Sequence, residues 1–171
     1  MKKLSFLIAI SSLFLFGCEE EVDLTGGDYV EVQAELKEPE VVGVGQTLQV
    51  GNTTIKVNKV EEKALVNNGF LNFVPESKSD NFIVVDMTIS NSGSSNVVVD
   101  SIFFSMIADE LKLNSSPLVI TDGTYFLYTK IEPNSSQRGK VLFEVPKDVS
   151  DLTLQISDMN FGEDKGYVVI K

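Results

Sequence analysis

Asn81-Phe82-Ile83-Val84-Val85-Asp86-Met87-Thr88-Ile89-Ser90 decides the fold class of this 171-residue chain. Ile83, Val85, Met87 and Ile89 fall on one side of an extended backbone, and Val84, Asp86, Thr88 and Ser90 fall on the other. Successive side chains of a strand point to opposite faces, so this alternation marks a half-buried β-strand. Asn91-Ser92-Gly93-Ser94-Ser95-Asn96 follows it. These residues tolerate positive φ or hydrogen-bond their own backbone, so the strand ends in a turn.

The same reasoning extends outward. Upstream, residues 46–50 and 53–60 read as strands around Gly51-Asn52, with Ile55 and Val57 on one face. Downstream, strands are predicted at 97–99, 102–107, 111–113 and 125–131, before the turn Pro133-Asn134-Ser135-Ser136. Residues 140–145 place Val141, Phe143 and Val145 together and stop at Pro146; Leu152, Leu154 and Ile156 alternate again, and 167–170 closes the chain. No amphipathic run is long enough for a helix of several turns. Short strands separated by regular turn signals predict an all-β sandwich over residues 41–171.

The N-terminus carries a different message. Lys2 and Lys3 precede thirteen mostly apolar residues, Leu4 to Phe16, then Gly17 and the only cysteine, Cys18. A membrane-spanning helix needs about 20 apolar residues. A shorter apolar run behind a basic start is an export signal that is removed. Leu15-Phe16-Gly17-Cys18 resembles the lipobox of bacterial lipoproteins, in which a diacylglyceryl group is attached to the thiol and the signal is cut after the small residue. This implies cleavage after Gly17, a signal peptide over 1–17, and anchoring of Cys18 to the extracytoplasmic face of a membrane. The acyl chains would contribute about 0.8 kcal/mol per buried methylene.

Charge and composition narrow the function. Residues 19–40 hold nine acids against Lys37 alone, and with Cys18 they read as an extended acidic tether, 18–40. The whole chain has 25 acidic and 14 basic residues, a formal charge of −11. Such a surface repels nucleic acid and anionic head groups. The chain has no His and no Trp. The missing imidazole removes the commonest general base and transition-metal ligand, which points away from an enzyme. With Cys18 acylated no disulfide is available, so packing and backbone pairing must hold the fold.

Three stretches carry a family resemblance: Val44-Gly45-Gln46-Thr47-Leu48-Gln49-Val50-Gly51; Phe82 through Asn91; and Ile131-Glu132-Pro133-Asn134 with Gly139-Lys140-Val141-Leu142-Phe143-Glu144-Val145-Pro146. Together they resemble the telokin-like, immunoglobulin-fold domain of unknown function that recurs in lipoproteins and secreted proteins of Gram-positive bacteria. Asn134 stands where that family usually has Gly, and both residues tolerate positive φ. The resemblance implies an immunoglobulin-like antiparallel β-sandwich of about seven to nine strands. It implies no known activity.

Two kinds of candidate site emerge. Asp158, Asn160, Glu163 and Asp164 gather oxygen ligands in one loop, which suits Ca²⁺, although the EF-hand spacing is absent and a solvated acidic turn has the same composition. No cofactor is otherwise indicated. Phe70 and Phe73 lie in an Asn- and Gly-rich stretch, and Tyr125 and Tyr128 follow Thr121-Asp122-Gly123-Thr124. Aromatics at the ends of a sandwich either plug it or form a contact rim. Serines sit in turns with no neighbouring base, so nucleophilic catalysis has no support. The expectation is a non-enzymatic interaction module that meets an envelope protein through residues 67–74 and 121–128. The alternative is a metal- or small-ligand-binding accessory lipoprotein of a transporter or sensor.

Overall fold

The computed structural model describes residues 38–118 and 124–171. The expected signal segment with Gly17, the lipidation candidate Cys18 and residues 19–37 of the tether lie outside the described residues, as do 119–123. In chain order the strands are β1 (Glu40–Gly43), β2 (Thr47–Val50), β3 (Thr53–Lys63), β4 (Val66–Asn67), β5 (Asn72–Phe73), β6 (Asp80–Asn91) and β7 (Val97–Val99). After a 3-10 turn at Ser101–Phe103 come β8 (Phe104–Ala108), β9 (Leu111–Asn114), β10 (Thr129–Ile131), β11 (Ser135–Pro146), β12 (Leu152–Ser157) and β13 (Lys165–Val169).

Nine of these strands build two sheets, ordered β1-β13-β12-β8-β9 and β11-β6-β3-β2. Two short ribbons, β7-β10 and β4-β5, are additional. The chain is the all-β sandwich that the alternation in residues 81–90 predicts. Ile83, Val85, Met87 and Ile89 of β6 turn inward beside Ile55 and Val57 of β3 and Val141, Phe143 and Val145 of β11. Across the sandwich they face Phe104 and Met106 of β8 and Leu154 and Ile156 of β12 in one continuous core. Each such side chain contributes about 1.5–3 kcal/mol on burial, which is how the fold stands without a disulfide. Asn91, at the end of β6, is buried too. Its amide donates to the carbonyls of Ser95 (2.8 Å) and Ile131 (3.1 Å) and its oxygen accepts from Gly93 N (2.9 Å), which locks the following turn.

Four expectations need correction. The sandwich is not wholly antiparallel: Glu40, the last residue of the expected tether, opens β1, and β1 runs parallel to β13. Ile102 is not in a strand. Asp100 caps the 3-10 turn by accepting from Ile102 N, and Ile102 is left 69% exposed. Residues 125–131 form a strand only from Thr129, because Tyr128 adopts φ 50° and breaks the extended path. Finally, β6 is buried on both faces at its first half: Phe82 and Val84 point away from the main core yet are 0% and 1% exposed. They lie with Val66 and Leu142 in a second, smaller cluster, against which Phe73, Leu118 and Tyr125 pack.

Candidate functional site

The outer face of the four-stranded sheet is divided by its own sequence. Along β11, Gly139, Val141 and Phe143 point to the core, so Arg138, Lys140 and Leu142 point out. On β6 the outward residues are Phe82, Val84, Asp86 and Thr88, and the pairing sets Leu142 opposite Val84 and Lys140 opposite Asp86. One half of the face is therefore apolar and covered by the second cluster. The other half is polar. A bulge between Val57 and Lys59 inserts Asn58 into this polar half, where its amide donates to Asp86 Oδ1 and Thr88 Oγ1, both at 3.0 Å.

Asp86 is the hub. Arg138 donates to it through Nε (2.8 Å to Oδ1) and Nη2 (3.1 Å to Oδ2), a forked pair. Burial alone would push the Asp86 carboxyl up; the hydrogen bonds from Arg138 and Asn58 outweigh this and hold it below its ordinary value. The same pairing raises Arg138 above its ordinary range. Lys140 Nζ sits 5.6 Å from the centroid of the Tyr125 ring, a cation–π contact, and donates to Thr124 Oγ1 at 3.3 Å. Among the described residues no carboxylate lies within ion-pair distance of Lys140.

The wall opposite this band is the segment 124–128. Phe126 N donates to Lys140 O (3.0 Å), and Tyr125 makes an isolated parallel bridge to Lys140. The Phe126 ring, 2% exposed, lies directly over Gly139, where a Cβ would meet three ring atoms at 2.8–2.9 Å. A side chain at 139 would push the segment off the sheet. Between segment and sheet lie two cavities that share Lys140. One of about 310 Å³ is lined by Asp100, Ser116, Tyr125, Tyr128 and Leu142 among others. The other, about 270 Å³, lies between Asp86, Thr124, Arg138 and Lys140. An ammonium, aromatic faces and hydroxyls in one recess are groups that hold a small ligand.

The sequence candidates are distributed as follows. Phe73 and Tyr125 come together, both half-buried against the second cluster, whereas Phe70 and Tyr128 are 89% and 77% exposed. The β4-β5 hairpin that carries Phe70 is shaped by asparagines. Asn68 Oδ1 accepts from Phe70 N and Leu71 N, and Asn67 Oδ1 accepts from Gly69 N. The cation candidates do not converge. Asp158 turns inward between Gly51 and Gly162, where it accepts from Asn160 N (2.9 Å); Asn160, Glu163 and Asp164 are exposed. Among the described residues no three His, Cys, Asp or Glu side chains gather to hold a metal. The loop spends its one inward carboxylate on closing its own turn. Asp86, Arg138 and Lys140 were not singled out by sequence, although alternation along β6 and β11 places all three on the face away from the core.

Comparisons with known proteins complete the picture. The ycdA protein of Bacillus subtilis, provisionally described as a lipoprotein, is similar at TM-score 0.58 and 16% identity; the match covers 73% of this chain and 38% of that one, so this chain spans well under half of ycdA. An uncharacterized β-sandwich protein of Clostridium difficile is similar at TM-score 0.53 and 17% identity, over 82% and 100% of the two chains. The secreted protein MPT63 of Mycobacterium tuberculosis matches at TM-score 0.56 and 12% identity, over 79% and 98%. At these identities the likeness is one of fold. A comparison with curated protein sequences finds no match. Residues 42–166, nearly three quarters of the chain, match the family model described as a domain of unknown function, and the chain belongs to that family, DUF4352.

Proposed function

We propose that this chain is a lipid-anchored, extracytoplasmic interaction module with no catalytic activity of its own, which meets an envelope protein through the β4-β5 hairpin. The observation that carries the reading is the hairpin's surface. Residues 64–75 contain no charged side chain, in a chain where 39 of 171 residues are charged. Leu65, Phe70, Leu71 and Val74 are 49–89% exposed there. Exposed apolar and aromatic side chains gathered on one element are the usual anchors of protein contacts. The anchor itself rests on Leu15-Phe16-Gly17-Cys18. The provisional lipoprotein ycdA and the secreted MPT63 share the fold and support an address outside the cytoplasm. Among the described residues no helix is long and apolar enough to cross a membrane.

The test is a photo-crosslinking residue placed at position 70 of the full chain in its native membrane, with a second placed at Lys112 on β9 as control. One recurrent envelope protein captured from position 70 and not from 112 supports the reading. Capture of nothing, or of the same mixture from both positions, refutes it. Cys18→Ser should move the protein from the membrane to the soluble fraction; retention in the membrane would remove the anchor.

A further inference from the structure

We infer that the two cavities meeting at Lys140 form one site for an acidic carbohydrate, with the sugar ring against Tyr125 and Tyr128 and its carboxylate or phosphate on Lys140 and Arg138. No residue of the hairpin lines either cavity, so the two assignments are tested by different variants.

The anionic part follows from charge. In a chain of formal charge −11, strand β11 sets Arg138 and Lys140 two residues apart on one face. The carboxylate between them, Asp86, is already engaged: Oδ1 accepts from Asn58 and from Arg138 Nε, and Oδ2 accepts from Arg138 Nη2. It orients the guanidinium and acts on the Lys140 ammonium only through space, while the direct contacts of that ammonium are a neutral hydroxyl and a ring face. Neither supplies a full negative charge. An anion placed in the cavity between Asp86, Thr124, Arg138 and Lys140 would meet both cations at once, with the Asp86 charge offset by its forked pair with Arg138.

The carbohydrate part follows from the neighbouring cavity. Its volume of about 310 Å³ is at the lower end for small-ligand pockets, so it takes a compact group. Its polar lining is Asp100, Ser101 and Ser116, and its aromatic lining is Tyr125, Phe126 and Tyr128. Asp100 Oδ1 caps the 3-10 turn and the two serine hydroxyls donate to Asp100 and Glu144, which leaves Asp100 Oδ2 and the serine oxygens to accept from ligand hydroxyls. Phe126 is buried in the core, which leaves the two tyrosines to face the ligand. Tyr128 adopts φ 50°, an uncommon conformation for a bulky residue, and is 77% exposed at the cavity's edge. Asp100 lines this cavity and not the other. A ligand is therefore polarised, with neutral hydroxyls toward Asp100 and the anion toward Lys140.

The chain has four tyrosines and no tryptophan, so its intrinsic emission is tyrosine emission, and two of the four emitters, Tyr125 and Tyr128, line the cavity. The full chain, purified from membranes in detergent, is titrated with glucuronate, glucose 6-phosphate, glucose and inorganic phosphate. A saturable change in tyrosine emission with glucuronate or glucose 6-phosphate, at least about tenfold tighter than with glucose, is expected; the stronger of the two identifies the anion. Lys140→Met should weaken that binding about tenfold or more, and Tyr128→Ala should weaken it with the charge intact. Lys147→Met, Phe70→Ser and the wild type should bind alike. Melting curves of each variant show that it is folded. Glucose binding as tightly as glucuronate overturns the anionic site, and so does an unchanged Lys140→Met. Inorganic phosphate saturating the signal at the same midpoint as the sugar phosphate overturns the carbohydrate.

Discussion

Gly139→Ala tests how the segment 124–128 is seated. Gly139 is buried on β11, opposite Met87, and its φ is not positive, so the backbone itself accepts alanine. The obstacle is Phe126. The added Cβ would lie 2.8 Å from two atoms of that ring and 2.9 Å from a third. Carbon atoms in good contact are about 3.5–4.0 Å apart, so the ring or the strand must give way by roughly 0.7–1.2 Å. Phe126 is 2% exposed and belongs to the main core, which leaves it little room to slide. Overpacking of this kind costs about 1–3 kcal/mol. Phe126→Ala alone should cost about 3–5 kcal/mol through lost burial and a cavity.

The informative result is the double variant. With the Phe126 ring removed, the methyl added at position 139 enters empty space, and alanine in a strand is favoured over glycine by about 0.5–1 kcal/mol. Gly139→Ala should therefore destabilise the wild type and stabilise the Phe126→Ala protein, a coupling of about 1.5–4 kcal/mol. Urea unfolding of the four proteins, with equal slopes, gives the four free energies. Equal costs for Gly139→Ala in both backgrounds would show that the ring does not lie over the glycine and would sink the account of how the cavity wall is held.

Other expectations follow from the same contacts. Asp86 has a lowered folded-state pKa, so its contribution is complete above the unfolded value of about 3.9 and is lost as pH falls through the folded value. The wild type should exceed Asp86→Asn in urea midpoint at neutral pH, with the gap closing in strong acid; a gap that widens on acidification contradicts the pairing with Arg138. Gly162→Ala would put its methyl onto Asp158 Oδ2 and should lower stability by about 1–3 kcal/mol, with part of the loss relieved by Asp158→Ala in the same chain; full additivity in the melting temperatures would mean the two do not touch. Because the acidic loop does not converge, Ca²⁺ should leave the melting temperature unchanged; a rise that Asp158→Ala abolishes would restore the cation-binding reading.

The sequence made one side of each strand legible and left the other open. Ile83, Val85, Met87 and Ile89 announce an inward face through alternation, and β6 forms over that stretch. Alternation says which residues share the opposite face but not what covers it. Phe82 and Val84 are buried there because a two-residue ribbon, Val66–Asn67 with Asn72–Phe73, folds back over the sheet from a distance no local pattern encodes. β1 was hidden for a similar reason: Glu40–Gly43 pairs with a strand more than a hundred residues away, and its parallel ladder leaves no turn signal between partners. Residues 125–131 show the converse. Their composition favours a strand, yet the gain from burying Phe126 over Gly139 outweighs that propensity and draws the chain into the turn that Tyr128 completes.

The candidate site belongs to this second class of information. Aromatic residues were visible as aromatic, but not that two of the four, Phe73 and Tyr125, would be half-buried against the second cluster. The charged half of the recess was not visible, because Asp86 and Lys140 are more than fifty residues apart and become neighbours only through the register of β6 against β11. Once the inward faces of those two strands are aligned antiparallel, Asp86 must lie near Arg138 or Lys140, since every outward position falls opposite another. The fold thus assembles the recess as a consequence of burying Val85, Met87, Val141 and Phe143. Its ligand chemistry is then set by the few outward residues that the hydrophobic pattern left unconstrained.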